Sequence, residues 1–309
     1  RRYDAIRLGS AHSSPRSRAS GIFFVTNVAP AKTIGFFERH YFLLRRLHSL
    51  SGIVPIGVFL IAHLLTNSSA AWGAFALRET TKSSSWSVGG AEYFWHEVRW
   101  INTQIPHLLL IEISLWAAIG FHSVLGFFYA FTGSSNTARY AYQANWRYRL
   151  QRISGYLGVL FIFYHVATLR WGWSFLIPGG TKWSQEFAAS TLALALRGSS
   201  ESITAAGLAV SLAYFIGVTL LVFHFANGLW TAAITWGLTI SASAQRRWGY
   251  ACAGLGAALM VMGWASILAF ATADPAKLRE MEERIGGSHQ TAGITEPAPS
   301  LALPAEARN

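Results

Sequence analysis

Four histidines, His63, His122, His165 and His224, each stand in the middle of a long apolar run. An ionisable side chain in such a place is costly unless it is paired or ligated, so each marks a candidate functional group. Neutral imidazole is a good axial ligand for a metal. A single case would be equally well explained as a satisfied core histidine. One histidine in each of four successive apolar runs argues for ligation. Gly57, Gly126, Gly158, Gly217 and Gly228 lie near them. They would let a flat cofactor approach the backbone, or simply let helices pack closely.

The elements that must position these histidines follow from hydropathy and charge. The chain has 309 residues, 52% hydrophobic and only 13% charged, about half the charge of a soluble domain. That composition points to lipid. Five runs, 49–68, 106–131, 153–173, 205–236 and 249–272, come near the roughly 20 residues a spanning helix needs. The expected fold is all-α, an integral membrane bundle of five transmembrane helices. Its expected parts are an N-terminal arm over 1–40, a five-span domain over 41–273 and a tail over 274–309.

The charges between the runs sort by side. The arm, the loop between spans two and three, and the loop between spans four and five hold 15 basic residues and the two acids Asp4 and Glu38. The other loops and the tail hold 10 basic and 11 acidic residues. By the positive-inside rule the N-terminus is cytoplasmic and the C-terminus outside. The net charge of +11 flanks the spans and forms no soluble basic face, so no nucleic-acid partner is expected. Trp72, Trp86, Trp95, Trp100, Trp146, Trp171, Trp173, Trp183 and Trp248 stand at or beyond span ends, where aromatic belts form. The lone Cys252 has no internal disulfide partner.

Residues 1–20 read as a flexible arm, and the first 40 hold no apolar run of the kind a cleavable signal peptide needs. Phe23, Phe24, Phe36 and Phe37 give residues 21–40 a surface to pack on a partner or lie on the membrane. In the tail, Pro275 to Ile285 is a short amphipathic candidate, followed by a Pro/Ala-rich end expected to be disordered. The two outer loops, Ser68 to Gln104 and Arg170 to Thr204, are long, and no internal repeat is evident.

Alternating span direction sets the depth of each histidine. His63 lies about 15 residues beyond the cytoplasmic start of span one, and at roughly 1.5 Å per residue this is the outer half. His165 is about as far along span three, so the two share a level. Spans two and four run inward and place His122 and His224 together nearer the cytoplasm. Two imidazoles at each of two levels is what two six-coordinate b haems between the first four spans require. A rival pairing uses the equal spacing of His48 and His63 on span one and of His107 and His122 on span two, in the manner of the cytochrome b of respiratory bc complexes, and would pair His48 with His122 and His63 with His107. It places His48 at the aqueous boundary and leaves His165 and His224 unpartnered.

Local motifs then show a family resemblance. The run Arg45-Arg46-Leu47-His48-Ser49-Leu50-Ser51-Gly52, leading through Pro55 to Ala62-His63-Leu64, resembles the first span of the dihaem cytochrome b anchor of succinate:menaquinone oxidoreductases. Phe121-His122-Ser123-Val124-Leu125-Gly126 resembles its second haem motif. Asn145-Trp146, Leu150-Gln151-Arg152-Ile153-Ser154-Gly155 and Tyr164-His165-Val166 resemble its third span. Phe223-His224-Phe225-Ala226-Asn227-Gly228-Leu229-Trp230, with Thr235-Trp236-Gly237, is the most specific stretch. The resemblance covers about residues 40–270.

It implies that His63 and His165 hold an outer haem and His122 and His224 an inner one, in agreement with the depths. It also implies a prokaryotic cytoplasmic membrane, an iron-sulfur subunit that delivers electrons, a flavoprotein subunit with covalent FAD that oxidises succinate, and a membrane quinone, menaquinone, as acceptor. This chain has one cysteine and no dinucleotide glycine fingerprint, so the dicarboxylate chemistry belongs to the partners. Relatives that reduce fumarate carry a Glu two residues before the fourth histidine. Val222 stands there in this chain.

Secondary sites follow. Arg46, His48, Ser49, Gln151 and Arg152 are placed to meet the propionates of the inner haem, the arginines serving equally as positive-inside anchors. A quinone site needs an apolar slot, hydrogen-bond partners and a proton source. Glu112, the one acid inside a span, His107, His96 and Glu97 are the candidates, with a tie to a neighbouring helix as the alternative role of Glu112. Two other functions compete: the b-type anchor of a hydrogenase or formate dehydrogenase, and a haem-free transporter that would leave the matched depths accidental.

Overall fold

In a computed structural model of the chain, residues 35–76, 86–133 and 145–294 are described. The chain up to His40 forms a unit of its own, in which the short helix α1 (Phe36–Arg39) is described. The rest of the aromatic segment over 21–40, and the chain end beyond 294, lie outside the described residues.

The second unit begins with α2 (Tyr41–Ile53) and α3 (Pro55–Ala76), which together make one bent span, Tyr41–Phe75. Proline has no N–H, and its ring crowds the carbonyl four residues back. The bend therefore falls at Val54 and Pro55, although the Val54 N–H still donates to the Leu50 carbonyl (2.9 Å). There follow α4 (Trp86–Gln104), α5 (Leu108–Thr132), α6 (Asn145–Leu169), the short α7 (Ala188–Arg197), α8 (Ala205–Thr235), α9 (Ala242–Thr272) and α10 (Pro275–Ile294). Among the described residues five stretches are long and apolar enough to cross a membrane: the α2–α3 rod, α5, α6, α8 and α9. Thr204 and Ser241 start α8 and α9, each hydroxyl accepting from the N–H three residues on, Gly207 (3.0 Å) and Ala244 (3.2 Å).

The third span differs from its expected bounds. It starts at the first turn of α6, with Arg147, Arg149 and Arg152 inside the helix, because long basic side chains lay their stems along apolar surface and carry the charge outward. It ends at Leu169, and Gly172 turns the chain at φ +69°, a conformation that favours glycine.

The α2–α3 rod packs through α2 on α5 and α8, α6 packs on α8, and α9 packs on α3 and α8. Their outward faces are apolar and exposed, as Val58, Leu109, Val124, Leu160 and Val261 illustrate. This is the pattern of helices whose solvent is lipid.

The stretches expected as long loops carry α4 and α7. Together with α10 these helices form a layer over the ends of α3 and α9, opposite the arginine-rich ends of the bundle. Its core joins Ala91, Phe94 and Trp95 to Ala189, Leu192, Ala193, Leu196, Phe270, Leu278 and Met281. The amphipathic tail segment is thus one face of a longer helix, docked on α7 and α4. Trp95, expected in an interfacial belt, is buried here and donates to the Glu186 carbonyl (2.9 Å). The α7 N-terminus is capped from a distance: the buried Glu282 of α10 accepts from the Ala189 N–H (2.7 Å), the Ser190 N–H and the Ser190 hydroxyl. A carboxylate there meets free N–H groups and the positive end of the helix dipole.

Candidate functional site

The bundle brings the four histidines together in two pairs. Nearer the arginine-rich end, His122 of α5 faces His224 of α8 with ring centres 6.1 Å apart and planes at 82°. Further along, His63 of α3 faces His165 of α6 at 5.7 Å and 85°. Two imidazoles bound from opposite sides to one metal stand about 6 Å apart between ring centres, given a metal–nitrogen bond of about 2 Å. Both pairs fit that requirement. His48 and His122 lie face to face, 4.0 Å apart with planes at 12°, so their ring nitrogens do not converge on a shared metal. His107 is exposed at the start of α5, with φ 60°. The pairs expected from depth therefore stand at the spacing a shared metal needs; of the equal-spacing pairs, His48 and His122 are brought together but stacked, too close for a metal between them. Among the described residues no group of three or more histidine, cysteine or acidic side chains could hold a metal ion.

The pair nearer the arginines is held by a device that occurs twice. The His122 Nδ1–H donates to the His48 carbonyl (2.9 Å), beside the Ser51 hydroxyl (3.4 Å). The His224 Nδ1–H donates to the Gln151 carbonyl (3.0 Å), beside the Ser154 hydroxyl (3.2 Å). Each serine also donates to the same carbonyl its histidine uses. A carbonyl only accepts, so the proton is fixed on Nδ1 and Nε2 is left as the atom that could ligate a metal, as in most metal-bound histidines. A glycine follows each serine. A Cβ on Gly52 would stand 2.6 Å from His122 Cε1, and one on Gly155 would stand 3.0 Å from His224 Cε1.

The two clamps come from Arg46-Leu47-His48-Ser49-Leu50-Ser51-Gly52 and Arg149-Leu150-Gln151-Arg152-Ile153-Ser154-Gly155, a short internal repeat that contradicts the expectation of none. Ser51, Ser154, Gly52 and Gly155 contact the candidate ligands and are not singled out by histidine-centred reasoning; the repeat is the one sequence feature that hints at them. The far pair has looser company: His165 Nδ1 lies 3.4 Å from the Tyr214 hydroxyl, and Asn67 donates to the His63 carbonyl (2.8 Å). Three of the glycines noted near the histidines serve helix packing. A Cβ on Gly57, Gly158 or Gly217 would strike Phe225, Leu221 or Phe161.

The candidate propionate partners divide. His48 Nδ1 is buried without a hydrogen-bond partner among the described residues, which leaves it available to a cofactor group. The Ser49 hydroxyl donates to the Arg46 carbonyl (2.8 Å) and accepts from Trp236 Nε1 (2.9 Å), while the Arg46 guanidinium lies over the Trp236 ring. The Gln151 amide donates to the His224 carbonyl (3.1 Å) and accepts from Asn227 (2.8 Å), so it orients α8. Arg152 ties α6 to the end of α5 through the Ala130 carbonyl and bonds Tyr148 (3.1 Å).

At the opposite end Glu112 is held by Arg170, just past α6, through contacts of 3.2 and 3.0 Å. It therefore ties α5 to the end of α6. His96 and Glu97 stand on α4, half-buried. The Glu92 carboxyl on the same helix is buried, and burial raises its pKa against the opposing effect of Arg284.

The chain is 32% identical over 230 residues to the succinate dehydrogenase cytochrome b558 subunit of Bacillus subtilis (strain 168), an alignment that covers 74% of this chain and 96% of that one. No family model matches, and no solved structure matches.

Proposed function

The chain belongs to the family of succinate dehydrogenase cytochrome b membrane subunits, and from that premise we propose that it anchors a succinate:quinone oxidoreductase and carries its electrons to a membrane quinone. His122 and His224 would hold one b haem and His63 and His165 a second; each supplies a one-electron carrier when bound. The observation that carries this reading is the occurrence of two facing imidazole pairs at two depths, 6.1 and 5.7 Å between ring centres. The chain's own work is positional. The His48 and Gln151 carbonyls set the tautomer of the nearer pair, Gly52 and Gly155 admit the rings, and the apolar spans keep water from both levels.

The arginine-rich end, with the N-terminus, faces the cytoplasm of a prokaryotic cell, and the C-terminus lies outside. An iron-sulfur subunit docks at that end and passes on electrons from a flavoprotein subunit with covalent FAD, where succinate is oxidised. The quinone, menaquinone, reacts at the His63 and His165 end, since reaction beside the arginines would scarcely need a second level. Glu112, His107, His96 and Glu97 are the groups proposed to handle its protons.

The test is a haem count on the co-purified complex with a reduced-minus-oxidised spectrum. Two low-spin b haems per chain are expected. One haem per chain, or a high-spin spectrum, would overturn the two-pair reading.

A further inference from the structure

A groove of about 660 Å³ runs along α8 between α6 and α9 at the arginine-rich end. It exists because the α9 face that lines it is built from small residues, Gly249, Ala253 and Gly256, at three- and four-residue steps. Two of its lining residues, Arg246 near the mouth and Met260 at depth, are separated along α9 by about 21 Å at roughly 1.5 Å per residue. That exceeds half the roughly 30 Å hydrocarbon core, so the groove reaches through one leaflet.

Its mouth carries two guanidiniums on different helices, Arg147 of α6 and Arg246 of α9. Arg147 is fixed in place. Its Nε donates to the buried Asn227 Oδ1 (3.0 Å), and its guanidinium lies 4.1 Å from the centre of the Trp230 ring. That bond uses Nε, so the two Nη groups, the bidentate edge suited to a phosphate, are not what anchors it. A cation oriented by a buried amide, above an apolar slot one leaflet deep, matches an anion that carries a long hydrocarbon tail.

We propose that the groove between α6 and α9 binds one anionic phospholipid, its phosphate on Arg147 and Arg246 and an acyl chain along Gly249, Ala253 and Gly256. A quinone would also fit an apolar slot, but no carboxyl or imidazole lines this one; its titratable groups besides the arginines are the Tyr250 hydroxyl and the Cys252 thiol, weak acids at neutral pH.

The test uses the whole haem-loaded complex, stripped of lipid in detergent and titrated with phosphatidylglycerol or phosphatidylcholine, with bound lipid counted by native mass spectrometry. Wild type should bind one phosphatidylglycerol about tenfold or more tightly than phosphatidylcholine, as two basic groups near a phosphate imply. The double variant Arg147→Gln and Arg246→Gln should lose that preference. Ala253→Phe, which fills the slot from its exposed side and leaves the Arg147–Asn227 bond alone, should lose the bound lipid while haem spectra and succinate-to-dye activity stay unchanged. Phosphatidylglycerol bound equally by wild type and both variants would overturn the proposal. So would a fall in quinone content with Ala253→Phe at unchanged lipid, which would assign the groove to quinone.

Discussion

Alanine at Gly52 is a graded test of how the nearer histidine pair is seated. Carbon atoms in ordinary contact lie about 3.5–4.0 Å apart, and a Cβ at Gly52 would lie 2.6 Å from His122 Cε1. The imidazole would have to retreat by about 1 Å, well outside the roughly 0.2 Å tolerance of a metal–ligand distance. At Gly155 the approach to His224 Cε1 is 3.0 Å, so the retreat is about half as large. At Gly126 the nearest atom is His48 Cε1 at 3.4 Å, close to ordinary contact. Each overpacked site should also cost about 1–3 kcal/mol of stability. Low-temperature EPR and the optical α-band of the purified complex should show the nearer haem lost or high-spin in Gly52→Ala, shifted in Gly155→Ala and intact in Gly126→Ala, with the far haem unchanged in all three. Two unaltered low-spin signals in Gly52→Ala would refute the clamp.

Other consequences follow from the same contacts. Tyr214→Phe removes the hydroxyl near His165 Nδ1 and should raise the midpoint potential of the far haem alone by about 20 mV, from a bond worth about 0.5 kcal/mol at 59 mV per tenfold; a redox titration that moves only the nearer haem would exclude it. Glu112→Gln should lower quinone turnover while sparing succinate-to-dye activity and both haem spectra, whereas an equal loss with Arg170→Gln and normal quinone affinity would reduce Glu112 to an interhelical tie. Glu282→Ala should loosen the α4–α7–α10 layer by about 1–3 kcal/mol, the cost of stranded buried donors, seen as faster hydrogen exchange in α7. Burial raises the Glu282 pKa above the ordinary 4.5, against the lowering by Ser190, Ala189 and Arg279. The folded state therefore holds that proton more tightly, and the layer's stability is fullest below 4.5 and falls as pH rises through the raised value. Glu282→Gln should flatten that slope in thermal unfolding.

The histidine pairs were legible because an imidazole inside an apolar span stands out, and because alternating span direction converts position into depth. The membrane class followed from composition and the five spans from the length and spacing of the apolar runs. Span ends were harder to read: charged residues ride inside the first turns of α2 and α6, where their stems lie on apolar surface, so a hydropathy window starts too late. The layer opposite the arginines was invisible because α7 is only 10 residues long and α4 is mixed in polarity. Only their mutual burial, with α10 supplying Glu282, makes them a core. The clamps on His122 and His224 rest on backbone carbonyls of α2 and α6, whose approach depends on the register between helices. The paired Leu-Ser-Gly and Ile-Ser-Gly runs hinted at them, but a seven-residue repeat without its partner histidines carries little signal. Glu112 was legible as an unusual acid, whereas its bond to Arg170 depends on where α6 ends.

The most direct test of the two-pair account is to replace one histidine from each pair and follow the haems by EPR at fixed complex content. His165→Ala should remove or convert to high spin the far haem and leave the nearer signal intact, and His224→Ala should do the reverse. Two normal low-spin haems in either variant, or the same haem affected in both, would contradict it.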